Sequence, residues 1–327
     1  MRIDVHCHFI PDFVVAEAQQ DPDRYGLQVD HGSGGVFFRH RQGYRYPVPD
    51  TFTDPHAMVR AMDQAGLDGR VVSLAPTLFL ADQPKDVQTT FLRRANQWAA
   101  EACRAAPGRL WAMGAVPLPH VAEAVEELDH IRSLGLVGVE IACFPGGRPV
   151  DDPEFRPFFA RAAELGLPVF LHPVYLGPQP GLEEFYFINT IGNPYQTLVA
   201  AARILHSGLA AELPQLQVLL AHGGGFFPYQ RGRFQHAWHV RSEPKVKIDR
   251  PPLEYAGCLY FDSLTHDPLA LRFLVDAFGE DRVLMGSDFP FDMGTETVVA
   301  DVAEAGLPGP VLAKVQGDNA VHLFHLG

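Results

Sequence analysis

Five side chains of types that bind divalent metal ions lie at the ends of short apolar runs. His6 and His8 are one residue apart in RIDVHCHF, close to the first residue. His172 ends PVFLH, His222 follows QVLLA, and Asp288 follows RVLMGS. Neutral imidazoles with a carboxylate are a common ligand set for Zn2+, and Mn2+ and Fe2+ are alternatives. These residue types predict one metal site if the fold brings them together.

The apolar runs alternate with helical patterns along the whole chain. Short, continuously apolar strands that alternate with amphipathic helices are typical of a parallel sheet covered on both faces. No GxGxxG follows the first strand, which argues against a dinucleotide-binding fold. The eight repeats therefore predict an α/β fold of the (β/α)8 TIM-barrel class. The predicted strands cover residues 2–8, 70–76, 110–118, 137–144, 168–174, 217–224, 258–265 and 282–290.

A barrel would explain how residues so far apart in sequence meet. Active sites of these barrels lie at the carboxyl ends of the strands. Side chains two residues apart on a strand point to the same side, so both His6 and His8 can face the barrel mouth. His172, His222 and Asp288 end the fifth, sixth and eighth predicted strands. All five groups should then converge on one axis.

The 327 residues are predicted to form one domain, since a barrel of this length is commonly a single unit. Residues 9–53 are too many for a simple loop, and VFFRHRQGYRYPV at 36–48 is typical of a hairpin. We expect residues 9–53 to form a cap over the barrel mouth. The first barrel helix is predicted over 54–66, with Asp54 as its N-cap and Gly66 as its end.

Composition narrows the possible partners. The formal net charge is −13 and the sequence pI is about 5.5, which argues against a nucleic-acid partner. No apolar run is long enough to span a membrane, and MRIDVHCHF lacks the positive segment and long apolar run expected of a secretory signal. The cysteines lack CxxC spacing, which together with these features predicts reduced thiols and a cytoplasmic location.

The order of HxH, strand-five His, strand-six His and strand-eight Asp resembles the amidohydrolase superfamily. Over nearly the whole chain, the sequence is similar to the amidohydrolase-2 group. It most resembles the branch formed by α-amino-β-carboxymuconate-ε-semialdehyde decarboxylases and their relatives. The segments that carry this resemblance are RIDVHCHFIP (2–11), LHP (171–173), AHGGGFFPYQRGRFQHAW (221–238) and EDRVLMGSDFPF (280–291).

The resemblance implies roles for the five groups. His6, His8, His172 and Asp288 would hold one divalent ion, with Zn2+ expected and Mn2+ as the alternative. His222 would lie beside a metal-bound water and act as the acid/base, and Asp288 would also take part in catalysis.

The resemblance also implies substrate contacts. Arg45 in the predicted hairpin would bind a substrate carboxylate, although Arg39 or Arg41 could take this role instead. Arg233 would reach the active site of a neighbouring subunit, which predicts a homodimer. Phe291 would line the substrate pocket.

These features predict a metal-dependent non-oxidative decarboxylase, a C–C lyase that acts on a small aromatic or muconate-type carboxylate. A hydrolase or hydratase of a lactone, amide or unsaturated dicarboxylate would use the same ligands and remains the alternative. A non-catalytic binding protein that retains the barrel is a third possibility. Glu140 on the fourth strand could bridge a second ion, but a single ion is expected because that strand has no lysine.

Overall fold

The computed structural model describes residues 1–33, 35–41, 43–175, 177 and 179–327. Its strands are β1 (Ile3–Phe9), β2 (Leu27–Gly32), β3 (Gly35–His40), β4 (Arg45–Pro47), β5 (Gly69–Leu74), β6 (Leu110–Ala115), β7 (Gly138–Ala142), β8 (Val169–His172), β9 (Val218–Leu220), β10 (Leu259–Asp262) and β11 (Val283–Leu284). Eight of these strands form one parallel sheet in the order β1-β5-β6-β7-β8-β9-β10-β11, and three form an antiparallel sheet in the order β2-β3-β4.

The parallel sheet closes into a barrel between its first and last strands. Val5 N donates to Met285 O at 2.9 Å, and His8 N donates to Phe289 O at 2.8 Å. With helices between successive strands, the fold is a (β/α)8 TIM barrel, as the sequence predicted. The eighth strand is shorter than expected, because only Val283–Leu284 pairs regularly.

Helices cover the outside of the barrel, and the inserted segment also starts with two helices before its first strand. Those of the described residues are α1 (Phe13–Gln20), α2 (Pro22–Tyr25), α3 (Asp50–Thr53), α4 (Pro55–Ala65), α5 (Lys85–Ala105), α6 (Val121–Ser133), α7 (Arg156–Leu165), α8 (Asn193–His206), α9 (Leu209–Glu212), α10 (Phe227–Val240), α11 (Pro268–Phe278), α12 (Val298–Glu304), α13 (Gly309–Ala313) and α14 (Asn319–Phe324).

Local sequence sets several of these helix ends. The Asp54 side chain accepts from His56 N, which satisfies one of the free amides at the start of α4. Gly66 follows the last residue of α4 in the left-handed conformation, with φ of 70°. Near the end of the chain, a π-helical segment at Lys314–Asp318 joins α13 to α14.

The N-terminal half of β1 fills the barrel interior, and its C-terminal half carries the site. Ile3 and Val5 belong to the apolar cluster inside the barrel. The pairing of β1 with β5 then shifts between Asp4 and Cys7. This bulge changes which side chains point inward. His6, although next to Val5, also faces the interior, with its ring 5.0 Å from that of Phe170.

The inserted segment forms more than the predicted hairpin. β3 and β4 make that hairpin, and β2 adds a third strand that pairs antiparallel with β3. Tyr46 of β4 is buried against Phe52 and Phe291, with ring centroids 6.1 and 5.3 Å away. The segment therefore packs on the loop that follows the eighth strand, at the barrel mouth.

In the described ranges, none of the helices combines the length and the apolar character needed to cross a bilayer.

Candidate metal centre

Four side chains bring possible ligand atoms together at the barrel mouth. One atom each from His6, His172, His222 and Asp288 lies within 4.8 Å of the others. His8 borders this group, with its Nε2 3.0 Å from Asp288 Oδ1. All five residues singled out by sequence therefore meet at one place. Their individual roles as ligand or acid/base stay predictions.

The three buried imidazoles present the same nitrogen to the centre. His6 Nδ1 donates to Asp262 Oδ2 at 2.5 Å, and His172 Nδ1 donates to Pro173 O at 2.6 Å. His8 Nδ1 lies 3.3 Å from Ser73 Oγ. When Nδ1 carries the proton, Nε2 has a free lone pair, which is how histidines are usually prepared for metal binding.

The buried atoms at the centre fit a divalent cation. Among the described residues, Nε2 of His6, His8 and His172 and Oδ1 of Asp288 are buried without a hydrogen-bond partner. Such orphaned polar atoms are costly and rare in folded proteins. One cation would provide a partner for all four. The fold and this group define a barrel protein whose mouth could bind one metal ion.

Burial and close charged neighbours shift the pKa values at the centre. Burial lowers the pKa of His6, but Asp288 and Asp262 outweigh it and raise that pKa to about 10. Burial raises the pKa of Asp288, yet His6 and the other imidazoles hold it well below its usual range. Burial, together with the neighbouring histidines, lowers the pKa of His172 well below its ordinary value. A metal ion and a proton would therefore compete for Nε2 of His6.

His222 is positioned by a strained turn. Its φ is 56°, and the φ of Asp288 is 58°, both in the left-handed region that side-chain-bearing residues seldom adopt. Gly223 and Gly224 continue the turn with positive φ. The backbone nitrogens of His222 and Gly223 donate to the Asp262 carboxylate at 2.8 and 2.7 Å. These contacts fix the backbone from which the His222 ring projects.

The His222 ring is the most accessible of the four imidazoles. Its side chain is 18% exposed, whereas those of His6 and His8 are fully buried. His222 Nε2 lies 3.4 Å from Asp288 Oδ2, and Nδ1 has no hydrogen-bond partner within the described chain. This position suits either a ligand or a group that exchanges protons with substrate.

Sequence reasoning missed Asp262. It ends β10, and its carboxylate accepts from His6 Nδ1 and from three backbone amides, those of His222, Gly223 and Leu264. The signal was available, because Asp262 is an ionisable residue within the apolar run of the seventh predicted strand, 258–265.

Two neighbouring cavities lie above the centre. A small one of about 60 Å³ lies directly against His172, His222 and Asp288. A larger one of about 410 Å³ extends beneath the inserted segment. Tyr44 and Thr77 line both cavities.

Phe291 is close to the centre, and its role in lining a substrate pocket stays a prediction. It lines the small cavity, and its ring centroid is 5.2 Å from that of His8. Glu140 lies on the other side of His8, with Oε1 4.0 Å from Nδ1. Both residues therefore border the centre from outside.

The hairpin arginines lie away from the cavities. Arg39 and Arg45 both pair with Asp30, and the Arg45 guanidinium also stacks on Phe37 at 3.9 Å. Arg41 is exposed, as are about half of the Arg45 and Arg39 side chains. The role of any of them in substrate binding stays a prediction, and Arg45 would have to leave Asp30 to fulfil it.

Arg233 projects from α10 on the outer surface. It is exposed and forms no ion pair with any residue that the structure describes. Tyr229, one helical turn earlier, is 84% exposed. Within one chain, Arg233 does not line either cavity above the centre.

A model of the Amidohydrolase family matches residues 3–326, and the chain belongs to this family. It is 29% identical over 309 residues to 2-amino-3-carboxymuconate-6-semialdehyde decarboxylase of Dictyostelium discoideum, covering 90% of this chain and 83% of that protein. Gamma-resorcylate decarboxylase of Rhizobium sp. (strain MTP-10005) is 32% identical over 258 residues, or 72% of this chain and 76% of that one. The structure of 2,6-dihydroxybenzoate decarboxylase from Rhizobium is 25% identical, with a TM-score of 0.80 and coverage of 99% and 98%.

Proposed function

We propose that this protein is a metal-dependent non-oxidative decarboxylase that acts on an aromatic or muconate-type carboxylate. The observation that carries the proposal is the set of unpartnered imidazole and carboxylate atoms beside the partly exposed His222. The named relatives, which are decarboxylases of such carboxylates, support the same reaction class.

We assign His6, His8, His172 and Asp288 as the residues that hold one ion, with Zn2+ expected and Mn2+ as the alternative. The donor set of nitrogens and a carboxylate suits both ions. When bound, the ion supplies positive charge that offsets negative charge on the substrate and on the reacting carbon framework.

His222 is the proposed proton donor. It transfers a proton to the substrate carbon that bears the carboxylate, and that carbon becomes tetrahedral. The bond to the carboxylate then breaks, its electron pair returns to the carbon framework, and CO2 leaves. Asp288, 3.4 Å from His222 Nε2, orients the ring.

The active unit is proposed to be a homodimer. Exposed apolar side chains surround the face next to α10, and a cavity of about 580 Å³ lies between them and His222. An exposed apolar patch of this kind is typical of a protein–protein interface. A partner seated there would bring its own Arg233 towards this cavity. The exposed residues are Phe226, Tyr229, Leu269 and Phe273.

A cytoplasmic location is the last part of the proposal. Cys7, Cys103, Cys143 and Cys258 are free thiols in the described structure, which suits a reducing compartment. Fractionation of cells that produce the tagged protein tests this location directly.

CO2 release from the metal-loaded protein tests the proposed reaction. The substrate panel contains 2-amino-3-carboxymuconate-6-semialdehyde and several hydroxybenzoates, and His222→Ala is the matched control. We expect CO2 release by the wild type that the variant lacks. Metal-loaded, folded protein that releases no CO2 from any compound would overturn the decarboxylase proposal and favour a hydrolase or hydratase.

A further inference from the structure

The carboxylate of Asp4, two residues before His6 on β1, is the shared acceptor of four hydrogen bonds. The side chain has no exposed surface. Its Oδ1 accepts from the backbone nitrogens of His6 and Ser287 at 3.2 and 3.1 Å. Its Oδ2 accepts from the Ser287 hydroxyl at 2.6 Å and from Arg70 Nε at 3.2 Å. A carboxylate has about four lone-pair sites and no donor, so these contacts use its whole capacity.

These contacts connect the backbones of two proposed metal ligands. Asp4 binds the backbone nitrogen of His6 and both donors of Ser287, the residue directly before Asp288. The His6 carbonyl completes the link, because it accepts from the backbone nitrogens of Asp288 at 2.6 Å and Ser287 at 3.2 Å. The first strand of the barrel is therefore tied to the loop after the last strand at the two positions from which His6 and Asp288 project.

Asp4 also stabilises the bulge in β1. A carboxylate that accepts from the amide two residues later forms an Asx turn, which competes with regular strand pairing. The contact between Asp4 and His6 has this spacing, and the register of β1 against β5 shifts between Asp4 and Cys7. The Asp4 side chain thus favours the irregular backbone that directs the His6 ring into the barrel.

The backbone of Asp288 requires support of this kind. Its φ of 58° lies in the left-handed region, which a residue with a side chain keeps only when its surroundings hold it there. Ser287 supports both sides, because it bonds to Asp4 and its hydroxyl accepts from Phe289 N at 3.2 Å. Arg70 closes the group: it pairs with Asp4, and its guanidinium stacks on the Phe289 ring at 4.1 Å. The buried charge of Asp4 therefore has a cationic partner.

We propose that Asp4 is a positioning residue for the metal centre. Through the backbones of His6 and Ser287 it fixes the directions in which His6 and Asp288 face the ion. It thereby controls metal affinity and coordination geometry, although it supplies no ligand atom. Its role differs from that of Asp262, which holds the His6 ring rather than the backbone. The inference rests on the proposed function, which assigns His6 and Asp288 as ligands.

Asp4→Asn tests this role with little change of shape. The asparagine oxygen can still accept from the two backbone amides, but its amide nitrogen then places a donor opposite the Arg70 Nε donor. We expect the dissociation constant for Zn2+ to rise about 10- to 100-fold, measured by competition with a chromogenic chelator. In protein loaded with Co2+ instead, the visible absorption bands should shift, because they report the ligand geometry around that ion.

Ser287→Ala removes one link and retains the charges of Asp4 and Arg70. It should weaken Zn2+ binding by roughly three- to tenfold and shift the Co2+ bands in the same direction as Asp4→Asn. Because no buried charge loses its partner, this variant also keeps the inference testable if Asp4→Asn does not fold.

Asn96→Ala is the matched control for a general loss of stability. Asn96 is 1% exposed and belongs to another buried network, in which it bonds to the backbone nitrogen and oxygen of Ala115 on β6 and to Glu127. Its removal leaves buried polar groups unpartnered and should lower the free energy of unfolding. Zn2+ affinity and the Co2+ spectrum should stay as in the wild type.

The outcomes separate a positioning role from a structural one. Wild-type Zn2+ affinity and Co2+ bands in folded Asp4→Asn and Ser287→Ala would overturn the inference. An equal loss of affinity in Asn96→Ala would also overturn it, because general destabilisation would then explain the effect.

CO2 release by the wild type is measured on the same preparations. Release by the wild type, together with unchanged metal affinity in the variants, would refute only the positioning role of Asp4. Raised dissociation constants in Asp4→Asn and Ser287→Ala, without CO2 release by the wild type, would support that role and refute only the proposed reaction.

Discussion

His6 and Asp262 are joined by a 2.5 Å contact between Nδ1 and Oδ2, although 256 residues separate them in sequence. The same carboxylate also accepts from the backbone nitrogen of His222. Asp262 thus fixes the orientation of one proposed metal ligand and the position of the proposed acid/base. A carboxylate that holds the outer nitrogen of a ligating histidine commonly controls metal affinity.

Asp262→Asn should weaken metal binding without removing a ligand. An amide is a poorer acceptor than a carboxylate, so the His6 ring loses its fixed orientation and basicity. We expect the metal dissociation constant to rise about 10- to 100-fold, measured by competition with a chromogenic chelator. Asp276→Asn, on the exposed surface of α11, is the charge-matched control. Unchanged affinity in Asp262→Asn would show that this contact does not tune the site.

Asp288→Ala should abolish both metal binding and activity. Asp288 provides the carboxylate atoms that lie 3.0 Å from His8 and 3.4 Å from both His6 and His222. Without it, the Nε2 atoms of His6 and His8 lose the carboxylate that faces them. Metal content by plasma mass spectrometry should fall to background, together with turnover. Full activity in the folded variant would contradict the site described here.

His222→Ala separates two roles that the geometry leaves possible for this ring. As the acid/base, its loss should lower turnover by roughly 10²- to 10⁴-fold with metal content unchanged. As a ligand, its loss should remove the metal as well. We expect the first result, because the His222 side chain is 18% exposed, whereas those of His6 and His8 are fully buried. Metal analysis of the purified variant distinguishes the outcomes.

The sequence was sufficient to predict the barrel and the five groups at its mouth. The predictions depended on local patterns: apolar runs, their alternation with helices, and ionisable residues at strand ends. The expectation that His6 and His8 both face the barrel mouth rested on their two-residue spacing. The structure reaches this arrangement through a bulge that no local pattern showed. A simple alternation from Val5 would turn His6 outward, and the bulge between Asp4 and Cys7 is what turns it inward.

Other features depended on contacts between distant segments. The third strand of the inserted segment, β2, is short and mixed in polarity, and its pairing with β3 becomes evident only in three dimensions. The ion pairs of Arg39 and Arg45 with Asp30 likewise depend on contacts between separate segments. No spacing rule relates a hairpin arginine to a carboxylate on a neighbouring strand, so the direction of these side chains could not be predicted.

Arg233→Ala should impair turnover more than folding. An exposed arginine without an ion pair in the described chain contributes little to stability, so the free energy of unfolding should change by less than about 0.5 kcal/mol. Loss of a charged contact to substrate should reduce turnover by roughly ten- to hundredfold. Arg241→Ala, at a surface pair with Glu243, is the control. A monomer in analytical ultracentrifugation at assay concentration would refute the shared site.

His40 should make the protein sensitive to moderate acid. Burial lowers its pKa from 6.5 to about 4 in the folded state, so the unfolded chain binds the proton more readily. The stability contributed by the neutral ring is complete above pH 6.5 and is lost as the pH falls towards 4, by roughly 3 kcal/mol. His40→Phe, which keeps an aromatic ring against Tyr46, should lack this loss.

Urea unfolding of the metal-free wild type and His40→Phe variant at several pH values between 4 and 7 measures this difference. Chelator in both samples removes the contribution of protons that compete with metal. The two stability curves should diverge steadily as the pH falls below 6.5, because only the wild type must keep a neutral imidazole buried. Parallel curves would mean that the His40 ring is hydrated in solution and that its burial does not govern the response to acid.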